Sequence, residues 1–350
     1  MYIDIHGHAR DFNQRKKETI AHVLEVCRDM GIDAFFDMPN TDPPVMWERD
    51  VLERLRLAKE ANVPEVFYGI YIGLTSNPEQ IKEAVRVKRK HFPHVVGMKL
   101  YAGHSVGKLG VIGLDGQDLV YTVLAEENYL GVLSVHAEQE GSLKLELWNP
   151  SEPITHCFAR PAESEVESVK DQLYLARRTN FRGKLHFAHL SVPEAVDLVV
   201  AAKKEGKDVS CEVCPHHLIF DWNIMRGEKG IWFKVNPPLR EVGVSTKMLE
   251  YLRGGLIDIV ATDHAPHTEE DKTCGKFMSG IVGLPYWPLF EEYLRRSDFT
   301  EAQIRRVMFE NAAKRFGIDV ERRVVKVKDR RGDYPFNFYS GLEQQLGFKW

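Results

Sequence analysis

The chain has 350 residues, 43% of them hydrophobic and 28% charged, with a formal net charge of −4. That length suits one large α/β domain with a sizeable core, and the weak negative charge gives no sign of nucleic-acid or anionic-membrane binding. No apolar run approaches the roughly 18 residues of a membrane span, no basic-then-apolar leader opens the chain, and five scattered cysteines outline no disulfide framework. The expectation is a cytoplasmic protein with reduced thiols.

Short apolar, β-branched or aromatic runs recur in order: YIDIH (2–6), DAFFD (33–37), EVFYGIYI (65–72), VVGMKL (95–100), GVLSVH (131–136), KLHFAH (184–189), DVSCEV (208–213) and IDIVAT (257–262). Helical patterns separate them. Ile20, Val23, Leu24 and Cys27 repeat at helical spacing, and Gly31 ends that pattern. Ser191 to Glu194 (SVPE) reads as a capping box, and Thr300 with Gln303 as a second. Strands alternating with helices imply parallel pairing with right-handed crossovers. Eight such units predict a (β/α)8 TIM barrel of the metal-dependent hydrolase type. A doubly wound open sheet is the second choice, but no early glycine-rich phosphate turn supports it.

The polar residues fall at one end of this map. In a strand Asp4, His6 and His8 share a face, so two imidazoles there can grip one ion. Lys99 ends the fourth strand, His136 the fifth, His189 the sixth, and ATDHAPH (261–267) straddles the end of the eighth. The C-terminal ends of the strands are where barrels of this type build their active sites. Zinc-like ions take imidazole and carboxylate ligands, so His6, His8 and Asp263 suit one ion and His136 with His189 a second. An anion must bridge ions roughly 3.5–4 Å apart. Lys99 is no ligand as an ammonium, but beside two cations it loses its proton readily and can add carbon dioxide to become a bridging carbamate. Taken singly, Lys99 reads as a solvated lysine, His136 and His189 as hydrogen-bonded core histidines, and Asp263 as a turn cap. Their common place at strand ends favours the metal reading.

The ordered motifs DIHGHAR, MPNT, GMKLY, HAE, HLS, PHH, NPPLR and ATDHAPH, running from about residue 3 to ENAAKRFG (310–317), resemble the amidohydrolase superfamily of cyclic amidohydrolases, and most closely the dihydroorotases. The resemblance implies two Zn2+ per chain held by His6, His8, carbamylated Lys99, His136, His189 and Asp263. It implies Arg10, Asn40 and His267 as partners of the substrate carboxylate and Asn236 as a partner of the ring. Asp263 would be the general base that takes a proton from the attacking water and passes it to the leaving nitrogen. The activity implied is reversible hydrolysis of (S)-dihydroorotate to N-carbamoyl-L-aspartate in pyrimidine biosynthesis. Hydantoinase- or allantoinase-like chemistry is the nearest rival; those substrates lack the ring carboxylate that Arg10, Asn40 and His267 would hold. An inactive homologue serving as a structural partner, for instance of aspartate transcarbamoylase, is a further alternative, and a homodimer is expected from the family.

Some features depart from the family pattern or stand apart from it. Pro285 stands where longer members often carry glutamate, and a complete side β-sandwich is not expected. Barrel residues 1–320 are expected to be followed by a C-terminal extension, 321–350, whose aromatic content (Tyr334, Phe336, Phe338, Tyr339, Phe348, Trp350) predicts docking on the barrel or a partner. Residues 101–111 lie where the family places a mobile loop; Gly103 and Gly107 suit movement, and His104 reads as solvent-facing. In CEVC (211–214) the two sulfurs point to opposite faces, Cys214 shares a face with Glu212, and His216 and His217 read as supporting or packing residues.

Overall fold

Parallel strands appear wherever β-branched and aromatic runs alternate with helices. In the computed structural model, which describes residues 2–104 and 109–350, these are β1 (Tyr2–Gly7), β2 (Ile32–Asp37), β3 (Phe67–Gly73), β4 (Val95–Ala102), β5 (Val132–Ala137), β6 (Lys184–Phe187), β7 (Val209–Val213) and β8 (Ile259–Val260). They pair in sequence order β1 to β8. A bridge between Gly7 and His264, with the His8 N–H donating to the His264 carbonyl at 2.8 Å, brings β8 back beside β1. The fold is therefore the (β/α)8 barrel that the sequence predicts. Gly107, within the loop for which movement was expected, lies outside the described residues.

Two apolar layers hold the barrel. Inside it, Ile3, Ile5, Phe36, Tyr71, Val96 and Ile259 pack together, and Phe316 closes the N-terminal end with its ring 5.0 Å from Phe36. Outside, the strands pack on the helices through residues such as Phe35, Leu24, Val85 and Trp287. The helix Ile20–Met30 ends as its sequence requires: Gly31 takes the left-handed conformation at φ 76°, where a side chain would be strained.

Three local expectations need correction. Asp4 does not share a face with His6 and His8. Between Asp4 and Gly7, β1 carries one residue more than β2, and such a bulge re-aims the side chains that follow it. Asp4 therefore stays on the outer side with Thr262 and Trp287, while His6 turns to the rim. The eighth strand is shorter than 257–262, because Thr262 gives its N–H and hydroxyl to the Asp4 carboxylate instead of extending the ladder. The SVPE capping box does not form. Pro193 occupies the first helical turn behind Val192, and the Ser191 hydroxyl is taken by the buried Glu165 and Arg240. The box of Thr300 and Gln303 is present.

The C-terminal segment first runs along β2 and the first helix, where Arg323 bonds Asp33 and Arg330 bonds Asp29, and from Tyr334 onward it packs on residues of the β7–β8 connection and of the helix after β8. Tyr334, Phe338, Tyr339 and Leu342 are buried. Phe336 stacks on Trp232 at 4.8 Å, and Tyr339 packs against Phe220 and Phe290. A polar tie joins this segment to the first helix: Tyr334 donates to Glu18, and His22 lies between Glu18 and Asp333 at 2.6 and 2.9 Å. The hydrogen bond to Glu18 raises the His22 imidazolium from 6.5 to about 9. A raised folded-state value means that this tie contributes fully below pH 6.5 and is lost as pH rises through about 9. The urea midpoint of the wild type should therefore exceed that of His22→Gln near pH 6, with the gap closing by pH 10. A gap independent of pH would refute the assigned tie.

Candidate active site

The rim of β1, β2, β5, β6 and β8 opens into a pocket of about 330 Å3. Nine of the ten residues singled out in the sequence line it: His6, His8, Arg10, Asn40, His136, His189, Asn236, Asp263 and His267. Lys99 lies beneath them, wholly buried in β4. Four pocket residues other than glycine sit in left-handed backbone: Arg10 at φ 49°, His189 at φ 38°, Asp263 at φ 46° and Phe277 at φ 47°. Such conformations cost on the order of 1–3 kcal/mol for residues other than glycine and persist where surrounding contacts impose them.

Asp263 is the centre of the arrangement. Its Oδ1 lies 2.9 Å from His8 Nε2 and 3.4 Å from His6 Nε2, although 255 residues separate it from His8. Burial alone would raise its carboxyl, but the His6 and His8 imidazoles outweigh that and hold it well below the usual carboxylate range. Across the pocket His136 Nδ1 and His189 Nε2 face each other at 2.9 Å. Under them the Lys99 Nζ has, among the described residues, one hydrogen-bond partner, Ser134 Oγ at 3.5 Å. Burial pushes the Lys99 ammonium down to about 8, which makes the neutral, nucleophilic amine accessible near neutral pH.

These residues fit a divalent metal centre. The ligand atoms of His6, His8 and Asp263 lie within 4.8 Å of one another, and imidazole with carboxylate is the donor set of zinc-like hydrolytic sites. His189 Nδ1 and His8 Nδ1 are buried without partners among the described residues. The tautomer of His6 is set from behind: its Nδ1 pairs with Glu212, leaving Nε2 toward Asp263. Glu212 also accepts from His186 Nε2 at 3.0 Å and from the His189 N–H at 3.1 Å. Outer carboxylates of this kind orient ligating histidines and raise their basicity.

The other wall is cationic and polar. Arg10 NH2 lies 3.4 Å from His267 Nε2, and His267 Nε2 also meets the Ser279 carbonyl at 3.0 Å. A buried group absent from the sequence reading supports this wall. Asp37 accepts from the Ala9 N–H, from Tyr68 and from Arg54, while Arg54 donates to the Arg10 carbonyl at 2.5 Å. Asn236 Oδ1 lies 2.9 Å from His156 Nε2 and accepts from Ser279 at 3.3 Å, which leaves its NH2 as the free donor. Arg160 and Lys234 also line the pocket; Arg160 is held by two bonds to Glu138 at 3.0 and 2.6 Å. Glu212, Arg54, His156 and Lys234 were missed because their roles depend on contacts between distant segments; only the placing of Glu212 on the Cys214 face hinted at one of them. His104 is exposed at the rim and pairs with Glu140.

Comparisons with known proteins identify relatives of the chain. No family model matches the chain. A dihydroorotase of Methanosarcina acetivorans is 33% identical over 334 residues, spanning 91% of this chain and 68% of that protein. A dihydroorotase of Thermococcus kodakarensis is 31% identical over 320 residues, spanning 90% and 68%. Among solved structures, the L-hydantoinase (dihydropyrimidinase) of Arthrobacter aurescens superposes with a TM-score of 0.80 at 25% identity, covering 90% of this chain and 70% of that one. The dihydroorotase of Campylobacter jejuni shares the fold at a TM-score of 0.70 and 18% identity, covering 91% and 83%. Barrel, rim and relatives together define an amidohydrolase, of the class that hydrolyses cyclic amide C–N bonds. Within that class the chain belongs to the dihydroorotase family.

Glu212→Gln keeps the size of the side chain but removes the charge behind His6. It should lower divalent-metal affinity by about 10–100-fold, read by chelator competition; unchanged affinity would show that Glu212 does not orient the centre.

Proposed function

We propose that the chain catalyses reversible hydrolysis of dihydroorotate to N-carbamoyl-aspartate, with His6, His8, Lys99, His136, His189 and Asp263 as metal-holding residues. The observation that carries this reading is the pairing of two unlike walls in one pocket: an imidazole–carboxylate cluster facing Arg10, Asn40 and His267. A cyclic amide with a free ring carboxylate matches both walls.

His6, His8 and Asp263 would hold one zinc ion and His136 with His189 a second. Lys99 would bridge them as a carbamate, formed when its neutral Nζ adds carbon dioxide and loses a proton. When bound, such ions supply a polarised ring carbonyl and an acidified water. The remaining work belongs to the side chains. Arg10 offers a planar fork to the substrate carboxylate, and Asn40 and His267 add hydrogen bonds to it. The free NH2 of Asn236 donates to the ring. Asp263, held ionised by its imidazole neighbours, takes the proton of the attacking water on Oδ and delivers it to the ring nitrogen as the C–N bond breaks. In the ring-closing direction the same carboxylate removes the ureido N–H proton and returns it to the departing water.

Asp263→Asn should lower turnover by about 100- to 10,000-fold, the range of general acid–base catalysis, with the metal content measured alongside. Loss of a charged hydrogen bond worth roughly 1.5–3 kcal/mol should make Arg10→Ala raise the KM for dihydroorotate by about 10–100-fold. Turnover of hydantoin by the wild type in place of dihydroorotate would retain the metal reading and overturn the carboxylate wall.

A further inference from the structure

Behind the rim, where β7 ends, the chain turns directly into the short helix Pro215–Ile219. Cys214 caps that helix in an extended conformation, and this turn gathers its thiol with the rings of His216 and His217. Their ligand atoms lie within 4.8 Å of one another. All three residues are buried, and none of them lines the active-site pocket.

The hydrogen bonding of this cluster is unfinished. Among the described residues, neither ring nitrogen of His216 has a partner. His217 Nε2 donates to the Pro237 carbonyl at 3.1 Å, so Nδ1 carries the lone pair, and Nδ1 is also buried without a partner among the described residues. A ligating histidine has this form: one ring nitrogen gives its proton to a backbone carbonyl and the other faces the ion. A purely packing role would leave buried imidazole nitrogens unpaired, which native interiors avoid. The third member is a thiol, the donor that selects zinc-class and copper(I)-class ions over magnesium or calcium.

We propose that Cys214, His216 and His217 form a separate thiolate-ligated site for a zinc-class ion. On binding, the Cys214 thiol releases its proton to solvent and its sulfur becomes the ligand, with the two imidazoles completing three protein positions. The site does not depend on the pocket reading, since it shares no residue with that set.

Cobalt(II) reconstitution of the full chain tests it, in a Cys274→Ser background that removes the one cysteine exposed to solvent. The expected result is a thiolate-to-cobalt charge-transfer band in the near ultraviolet, absent in Cys214→Ser, together with one ion fewer per chain in that variant. Histidine and carboxylate ligands give no such band, so the readout is independent of the pocket. X-ray absorption at the cobalt edge, showing a sulfur neighbour, serves should Cys214→Ser fail to fold. No band and no sulfur neighbour would overturn the proposal, as would a band that survives in folded Cys214→Ser; a water cluster in the same space would give the former result. Three ions with the band would support both sites, one ion with the band this site alone, and two ions without it the pocket centre alone.

Discussion

The Asp4 carboxylate is the joint on which the rim depends. It is fully buried, and it accepts from the Thr262 N–H and hydroxyl, from Trp287 Nε1 at 3.1 Å and from the His6 N–H at 3.2 Å. Burial raises it to about 6, so the four donors do not fully offset the loss of water. What they achieve is position. They tie the first strand to the last, end the eighth strand at Val260, and leave Asp263 to turn inward in left-handed backbone beside His6 and His8. The bulge in β1 completes the exchange, with Asp4 outside and His6 inside.

The same division recurs around the pocket. Groups that line the pocket are held by buried charges facing away from it. Glu212 stands behind His6, Glu138 beside Arg160, and the Asp37–Arg54 pair behind the Arg10 backbone. Removing one member of such a pair strands the other in a low-dielectric interior, at about 3–5 kcal/mol. These pairs impose geometry more than they add stability, which suits a pocket whose polar groups come from many segments of one chain.

Much of the fold was legible because its signal is local. The eight apolar runs, the Gly31 helix end and the Thr300–Gln303 box are each decided within a few residues, and all are present. The failures have a common cause. The strand alternation that joined Asp4 to His6 assumed an unbulged ladder, and a bulge is visible only against the partner strand. Ser191 has the composition of a cap, but Glu165 and Arg240, from two other segments, claim its hydroxyl.

The sequence by itself determined the barrel and the chemical inventory of its rim, because hydrophobic periodicity and ordered short motifs are properties of contiguous residues. Tertiary structure alone decided which of those polar groups face one another. His6 meets Asp263 and Glu212 from more than 200 residues away in the chain, Lys99 is buried beneath the histidines, and the aromatic C-terminal residues pack on the β7–β8 side. Those choices follow from barrel closure, which sets distances between residues that no local pattern relates.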